Sequence, residues 1–382
     1  MTISSGGRQG PPRPSERSER LALLMSQMED GGAQRAMLKL AGGLAERGYP
    51  VDLVLTRAYG PFLDEVSPAV RIVDLGAPRV AASVPALVRY LRGEHPVAML
   101  SALDYVNIVA LWSRRLAGGR TRLVVSERNH LSMAHRHRIS RRDRLVPGLI
   151  RRYYPWADAI VAVSEAVADD LTAMTGLPRD RIEVVYNPVV TPQAARLVQA
   201  PLDHPWLRPG QPPVVLAVGV LRRQKDFATL IEAFAHLRRR RPARLLILGE
   251  GPERAGLEAL VARCRLESDV QMPGFVANPY AYMARAAAFA LSSRWEGLPG
   301  VLIEALFCGV PTVATDCPGG SREILGHGRY GRLVPVGDPN ALAEALESAL
   351  SGELAPPPRE SWRPFELDTV VDRYTEVLLG AR

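Results

Sequence analysis

The feature that most constrains this chain is a repeated alternation of short apolar β-like runs with amphipathic helical patterns. Parallel α/β sheets produce that alternation, because each parallel strand pair needs a helix-length crossover. In the first half the strand candidates are Leu21–Met25, Val51–Leu55, Ile72–Leu75, Val97–Ser101, Leu123–Ser126, Ala159–Val163 and Ile182–Tyr186. A broken stretch from Asn187 to Pro213, holding Pro188, Pro192, Pro201, Pro205, Pro209, Pro212 and Pro213, interrupts the pattern. The alternation restarts at Val214–Val218, and DFATLIEAFAHL then puts Phe227, Leu230, Ile231, Phe234 and Leu237 on one helical face. Further strand candidates are Leu245–Leu248, Ala287–Leu291, Thr312–Ala314 and Leu333–Val336.

This pattern predicts an α/β chain of two Rossmann-like, doubly wound parallel-sheet domains facing across a cleft, with ligands at the carboxyl ends of the strands. The expected division is a disordered Pro, Ser and Arg tail at 1–20, a first domain at 21–192, a linker at 193–213 and a second domain at 214–358. A closing segment at 359–382 carries the helical pattern Leu367–Leu379, which can pack back on the first domain. At 382 residues and 47% hydrophobic, the chain has apolar material for two cores.

No apolar run reaches the roughly 18 to 20 residues that cross a bilayer, and the start is too polar for a signal peptide, so a cytoplasmic location is expected. Cys264, Cys308 and Cys317 lack paired C-x-x-C spacing and read as reduced thiols. The formal charge is +8, which suits phosphate-rich partners or an anionic surface. Yet the only lysines are Lys39 and Lys225, so the arginine excess reads equally as a coding bias.

Chemistry-bearing residues cluster where strands end. Gly31 and Gly32 precede a helix, where backbone N–H groups can approach an anion, although an ordinary strand-to-helix turn would look the same. Arg222, Arg223 and Lys225 follow the strand at 214–218, and a diphosphate is the group such a cluster could neutralise. LLILGEGPER repeats the arrangement with Gly249, Gly251 and Pro252. In SSRWEGLPGVLIEALFCGVPTVATDCPGGSREIL, Glu296 lies in a Gly- and Pro-containing loop and Glu304 in an apolar helical run. Seven residues separate them, so they cannot stack on one helix face, but they can reach opposite ends of one ligand. Carboxylates accept hydrogen bonds from vicinal hydroxyls such as those of a sugar or ribose.

Together GGAQR, YNPV at 186–189, VGVLRRQKDF, GEGP, MPGF at 272–275, EGLPGVLIE and GVPTVATDCPGGSREIL resemble the retaining glycosyltransferases of family four, which have the GT-B fold. The likeness spans about Leu21 to Leu379. It implies a first domain that mainly holds the acceptor, a glycan or polyprenyl-diphosphate-linked glycan, and a second that holds a nucleotide-sugar, expected to be a UDP-sugar. Carried over, Glu304 would bind the ribose hydroxyls, and Glu296 with the backbone of Gly297, Leu298 and Pro299 would meet the donor sugar. Lys225 would bind the diphosphate, assisted by the Gly32 backbone. Where the family has Arg in V-G-R-L this chain has Val220, leaving Arg222 or Arg223 to supply that charge. The family's first-domain histidine points to His130 in SERNHLS. No resident cofactor or metal is expected, the leaving phosphate itself taking the acceptor's proton.

Two other functions compete with transfer to a cell-surface polysaccharide such as lipopolysaccharide. A nucleotide-sugar epimerase would share the fold, and a basic module could bind membrane or nucleic acid without catalysis. The second leaves EGLPGVLIE unexplained and offers no aromatic platform, so no nucleic-acid partner is expected. The segment from His135 to Trp156 sets seven arginines beside Leu145, Val146, Leu149, Ile150, Tyr153, Tyr154 and Trp156. It reads either as a peripheral contact with the anionic inner face of the plasma membrane or as a solvated helix packed on its own core.

Overall fold

A computed structural model describes residues 19–29, 31–136 and 145–380, with the side chains of residues 135 and 136 left aside. The tail at 1–18 lies outside them, as do Arg138, Arg141, Arg142 and Arg144 of the basic segment. Two all-parallel sheets organise the chain. The first contains β1 (Leu21–Met25), β2 (Val51–Leu55), β3 (Val70–Asp74), β4 (Ala98–Ala102), β5 (Arg122–Glu127), β6 (Ala159–Ala162) and β7 (Ile182–Val184), in the order β3-β2-β1-β4-β5-β6-β7. The second contains β8 (Val214–Val218), β9 (Arg244–Leu248), β10 (Val270–Gly274), β11 (Ala288–Leu291), β12 (Thr312–Thr315) and β13 (Arg332–Val334), ordered β10-β9-β8-β11-β12-β13.

Both orders reverse direction once, between β1 and β4 and between β8 and β11, the switch points at which doubly wound sheets open a crevice. Central strands such as LALLM of β1 and AMLSA of β4 are buried along their whole length, because helices cover both faces of a parallel sheet. The edge strands β3 and β10 alternate buried and exposed positions instead. β10 has no counterpart among the expected strands. Its Pro273 and its polar Gln271 break the apolar run, and an edge strand tolerates both.

The Pro-rich connection is partly ordered as helix. Thr191 accepts a hydrogen bond from the Ala194 N–H and caps the helix Pro192–Val198, with Pro192 in its first turn. Asn278 and Arg285 of the second domain donate to the carbonyls of Leu197 and Ala200, so this segment lies against that domain.

The chain crosses between domains twice, and the two crossings are zipped together. Val189 and Val190 N–H both donate to the Phe365 carbonyl, and Leu367 N–H donates to Val190. The terminal helix Leu367–Leu379 then returns to the first domain. Val370, Val371, Tyr374, Val377 and Leu378 join the core formed by β1 and the helix Gly32–Glu46, each such burial contributing roughly 1.5–3 kcal/mol. Arg122 Nε donates to the Val377 carbonyl at 3.0 Å, and Arg47 bridges to Asp372 at 2.9 Å.

Close packing of these two helices depends on Gly43, where a Cβ would lie 2.7 Å from Val371 Cγ2 and 3.1 Å from Leu367 Cδ1. At the adjacent Gly42 a Cβ would meet only Ser67 Cβ at 3.9 Å. Opposite outcomes are therefore expected from neighbouring substitutions. Gly43→Leu should cost about 1–3 kcal/mol by overpacking, whereas Gly42→Ala should gain about 0.5–1 kcal/mol of helix stability. Urea midpoints check both, and an unchanged midpoint in Gly43→Leu would place the terminal helix elsewhere.

Candidate active site

The segments singled out by motif emerge from the carboxyl ends of the switch-point strands. After β8 the chain turns at Gly219, where an added Cβ would sit 3.2 Å from Lys225 Cε, so the missing side chain makes room for the lysine stem. The loop after β9 interleaves with this turn. Gly249, at φ +142°, would carry a Cβ only 2.0 Å from the Gly219 carbonyl, and Leu221 N–H donates to the Glu250 carbonyl at 2.8 Å. Asp226, buried at φ +49°, accepts from Thr229 in the helix Phe227–Arg240 and pairs with Arg294 at 2.9 Å. These contacts fasten the β8 loop to the β11 loop, and Ser292 Oγ adds a bond to the Lys225 carbonyl.

Lys225 Nζ meets Glu296 Oε1 at 2.6 Å, and Ser293 Oγ donates to the same oxygen at 2.6 Å. Glu296 is buried, so the ammonium and hydroxyl together compensate a carboxylate that would otherwise be costly to desolvate. Among the described residues the other carboxylate oxygen of Glu296 takes no protein hydrogen bond. Glu304 follows the same plan in the helix Gly300–Phe307. Tyr280 donates to its Oε1 at 3.0 Å, and its second oxygen takes no protein donor among the described residues. Burial and the adjacent carboxylate raise the Tyr280 pKa well above its ordinary range, so the hydroxyl remains a donor.

Between the two glutamates, Gly297, Leu298 and Pro299 are buried against the first domain. A Cβ on Gly297 would lie 2.1 Å from the Arg128 carbonyl. The Gly297 carbonyl accepts from Gly320 N–H at 2.8 Å and from Ser164 Oγ at 3.3 Å. Neither Gly297 nor Leu298 N–H finds an acceptor among the described residues. Gly32 opens the first helix after β1, with no side-chain cap and no acidic residue in its first turn, so the N–H groups of that end are not satisfied by a cap.

His130 stands beyond β5, its Nδ1 3.2 Å from both Asp170 Oδ2 and Ser132 Oγ. Asp170, buried on the helix Glu165–Thr175, also accepts from Ser132 N–H, so the carboxylate orients the ring. This partner was not among the sequence candidates. It is 40 positions away and, like Tyr280, carries no local motif, while Ser293, Asp226 and Arg294 lie inside the quoted segments with nothing in the sequence to show what they touch. Arg222 and Arg223 are exposed and donate no side-chain hydrogen bond among the described residues, so neither joins the Lys225–Glu296 cluster, and Val220 is half-buried. Among the described residues no three His, Cys, Asp or Glu side chains are grouped as a metal site. Burial, with the nearby Glu304 and Glu296, pushes the thiols of Cys308 and Cys317 up to about 12 and about 11.

The comparisons with known proteins bear on this geometry. The family described as Glycosyltransferase Family 4 matches residues 30–193, and that described as Glycosyl transferases group 1 matches residues 200–364. A Campylobacter jejuni N-acetylgalactosamine-N,N'-diacetylbacillosaminyl-diphospho-undecaprenol 4-alpha-N-acetylgalactosaminyltransferase is 30% identical over 88% of this chain and 91% of its own. The Rhizobium meliloti lipopolysaccharide core biosynthesis glycosyltransferase LpsE is 26% identical over 92% and 96%. Anabaena HepE, solved with UDP and glucose, superposes with a TM-score of 0.76 over 95% of this chain and 99% of its own at 22% identity, which shows the GT-B fold. With both halves matched in order and a relative alike over nearly its whole length, the chain belongs to the family-four glycosyltransferases.

Proposed function

We propose that this glycosyltransferase of cell-surface polysaccharide synthesis is a retaining enzyme that moves a sugar from a UDP-sugar to a lipid-linked glycan. The observation that carries this reading is the pair of buried glutamates at the second sheet's switch point, each holding one oxygen on a protein donor and keeping the other for a ligand. The relative from C. jejuni is named for a diphospho-undecaprenol acceptor and HepE was solved with UDP, which supports both partners by likeness.

In this reading Glu304 binds the ribose diol, and Glu296 with the N–H groups of Gly297 and Leu298 meets the donor sugar. The bond between the anomeric carbon and the diphosphate oxygen breaks as an acceptor hydroxyl oxygen attacks from the same face. The hydroxyl proton passes to the departing phosphate oxygen, so no protein nucleophile is consumed. Lys225 and the start of the helix at Gly32 stabilise charge growing on the diphosphate, and His130, held by Asp170, positions the reacting sugar. The reading calls for no resident metal or cofactor, because these groups supply the countercharge.

A lipid-linked acceptor places the enzyme on the inner face of the plasma membrane, attached peripherally. No described helix is long and apolar enough to cross a membrane. Val146, Ile150 and Tyr154 of the basic segment are fully buried in the first domain's core and cannot be the contact. What the same region leaves at the surface is Leu145, Trp112, Arg151 and Arg152, with Trp112, Tyr153 and Trp156 in mutual edge contact and Arg115 over the Trp156 ring. Aromatic rings flanked by arginine suit a headgroup interface.

Glu304→Ala should weaken UDP binding by about 1.5–3 kcal/mol, the range for a hydrogen bond to a charged group, while Glu296→Gln should lower turnover more than UDP affinity; calorimetry and single-turnover transfer separate the two, and full transfer by Glu296→Gln would remove its role. Lys225→Ala should reduce both affinity and turnover. If Arg222 supplies the charge missing at Val220, Arg222→Ala should resemble Lys225→Ala and Arg223→Ala should be mild, and equal, negligible effects would leave neither facing the diphosphate. In liposome sedimentation the protein should bind anionic but not neutral vesicles, and lose binding with salt and in a variant with Trp112, Arg151 and Arg152 changed to Ser. Indifference to those changes would remove this face as the contact.

A further inference from the structure

Only two of the chain's 48 Lys and Arg residues are lysines, and each acts on one of the two glutamates of the site. Lys225 contacts Glu296 directly. Lys39 belongs to the first domain. It projects from the helix Gly32–Glu46, and its Nζ donates to the Val189 carbonyl at 2.8 Å, on the first crossing between domains. Val189 is itself buried and its Cγ2 lies 3.8 Å from where a Cβ of Gly300 would be, at the start of the helix that carries Glu304. One turn earlier on the same helix, Arg35 stacks over the Phe62 ring at 5.0 Å. Burial lowers the Lys39 pKa, the Glu304 and Glu65 carboxylates oppose that change, and Arg35 adds to it.

A chain that uses Arg for nearly every surface cation has kept an ammonium here. The two cations differ in shape: guanidinium is a planar fork that needs a matching set of acceptors, whereas ammonium is a compact point charge. At a narrow domain boundary, a point charge can serve one backbone carbonyl and still act on a carboxylate beyond it. We propose that Lys39 is a positioning residue for the nucleotide donor, holding the crossing at Val189 against the Glu304 helix and compensating the Glu304 carboxylate so that its ligand-facing oxygen stays aimed at the ribose. The proposal rests on the reading of Glu304 as the ribose acceptor. Lys39 contacts neither the sugar nor the phosphate, and its effect passes through Glu304.

A double-mutant cycle on the full-length protein tests it, with UDP as the probe in isothermal titration calorimetry. Lys39→Met should weaken UDP binding about 5- to 20-fold in the wild-type background and less than about 2-fold in Glu304→Gln, the non-additivity expected of coupled neighbours. Lys39→Arg should recover part of the loss, and Lys39→Gln replaces the Met variant should that one fail to fold. An equal loss in both backgrounds means that Lys39 acts only as packing, and unchanged affinity in a folded Lys39→Met rejects any role; either overturns the proposal. Glu304→Gln that binds UDP like the wild type rejects instead the ribose reading beneath it, so the two failures are distinguishable.

Discussion

The site depends on a contact that leaves no room for a side chain. At Gly297 the loop after β11 of the second domain meets the Arg128 carbonyl of the first, backbone against backbone. Gly319, at φ +129°, lies behind it with its Cβ position 2.2 Å from the Glu296 carbonyl, and Glu296 N–H donates to Pro318. Glu296 is thus aimed by two loops at once, and one of them is registered against the other domain. The Arg128 side chain is buried, donating to Asn187 Oδ1 at 2.6 Å and lying 3.3 Å from the Tyr374 hydroxyl. One residue just past β5 therefore locates the Glu296 loop, the first interdomain crossing and the terminal helix.

A second junction works through charge. Glu323 of the second domain accepts from the Tyr186 hydroxyl at 2.6 Å and from the Glu165 N–H at the start of a first-domain helix at 3.0 Å. A carboxylate at a helix N-terminus is favoured by the helix dipole. Burial nonetheless raises the pKa of Glu323, while its bonds to Tyr186 and Glu165 oppose that shift. The domains are joined by these hydrogen bonds together with an apolar cluster that runs through both of them.

Most of the architecture was legible because it is periodic. Buried runs such as Val51–Leu55 and Val214–Val218 appear in the sequence at the positions where the strands form, and the helix Leu367–Leu379 begins and ends as its pattern indicates. β10 was not legible, since an edge strand lacks the continuous apolar run, and neither was the helix hidden among the prolines from Pro192. At the site, local motifs exposed Glu296, Glu304 and Lys225, but not what each of them touches. The Asp170 behind His130, the Tyr280 on Glu304 and the carbonyl under Lys39 are joined only by the fold. Arg222 shows the reverse limit: charge and position in sequence both favoured it, and the turn leaves it at the surface.

The terminal helix also governs the order in which this molecule can be made. The layer formed by Val370, Val371, Tyr374, Val377 and Leu378 belongs to the core that begins with Leu21. While the ribosome is still synthesising the second domain, the first has all seven of its strands but lacks part of the covering of one face. That apolar patch stays open to water until residues 367–379 have been made. The first domain is therefore completed only after the second has been synthesised, and loss of that helix would strike the domain that precedes both.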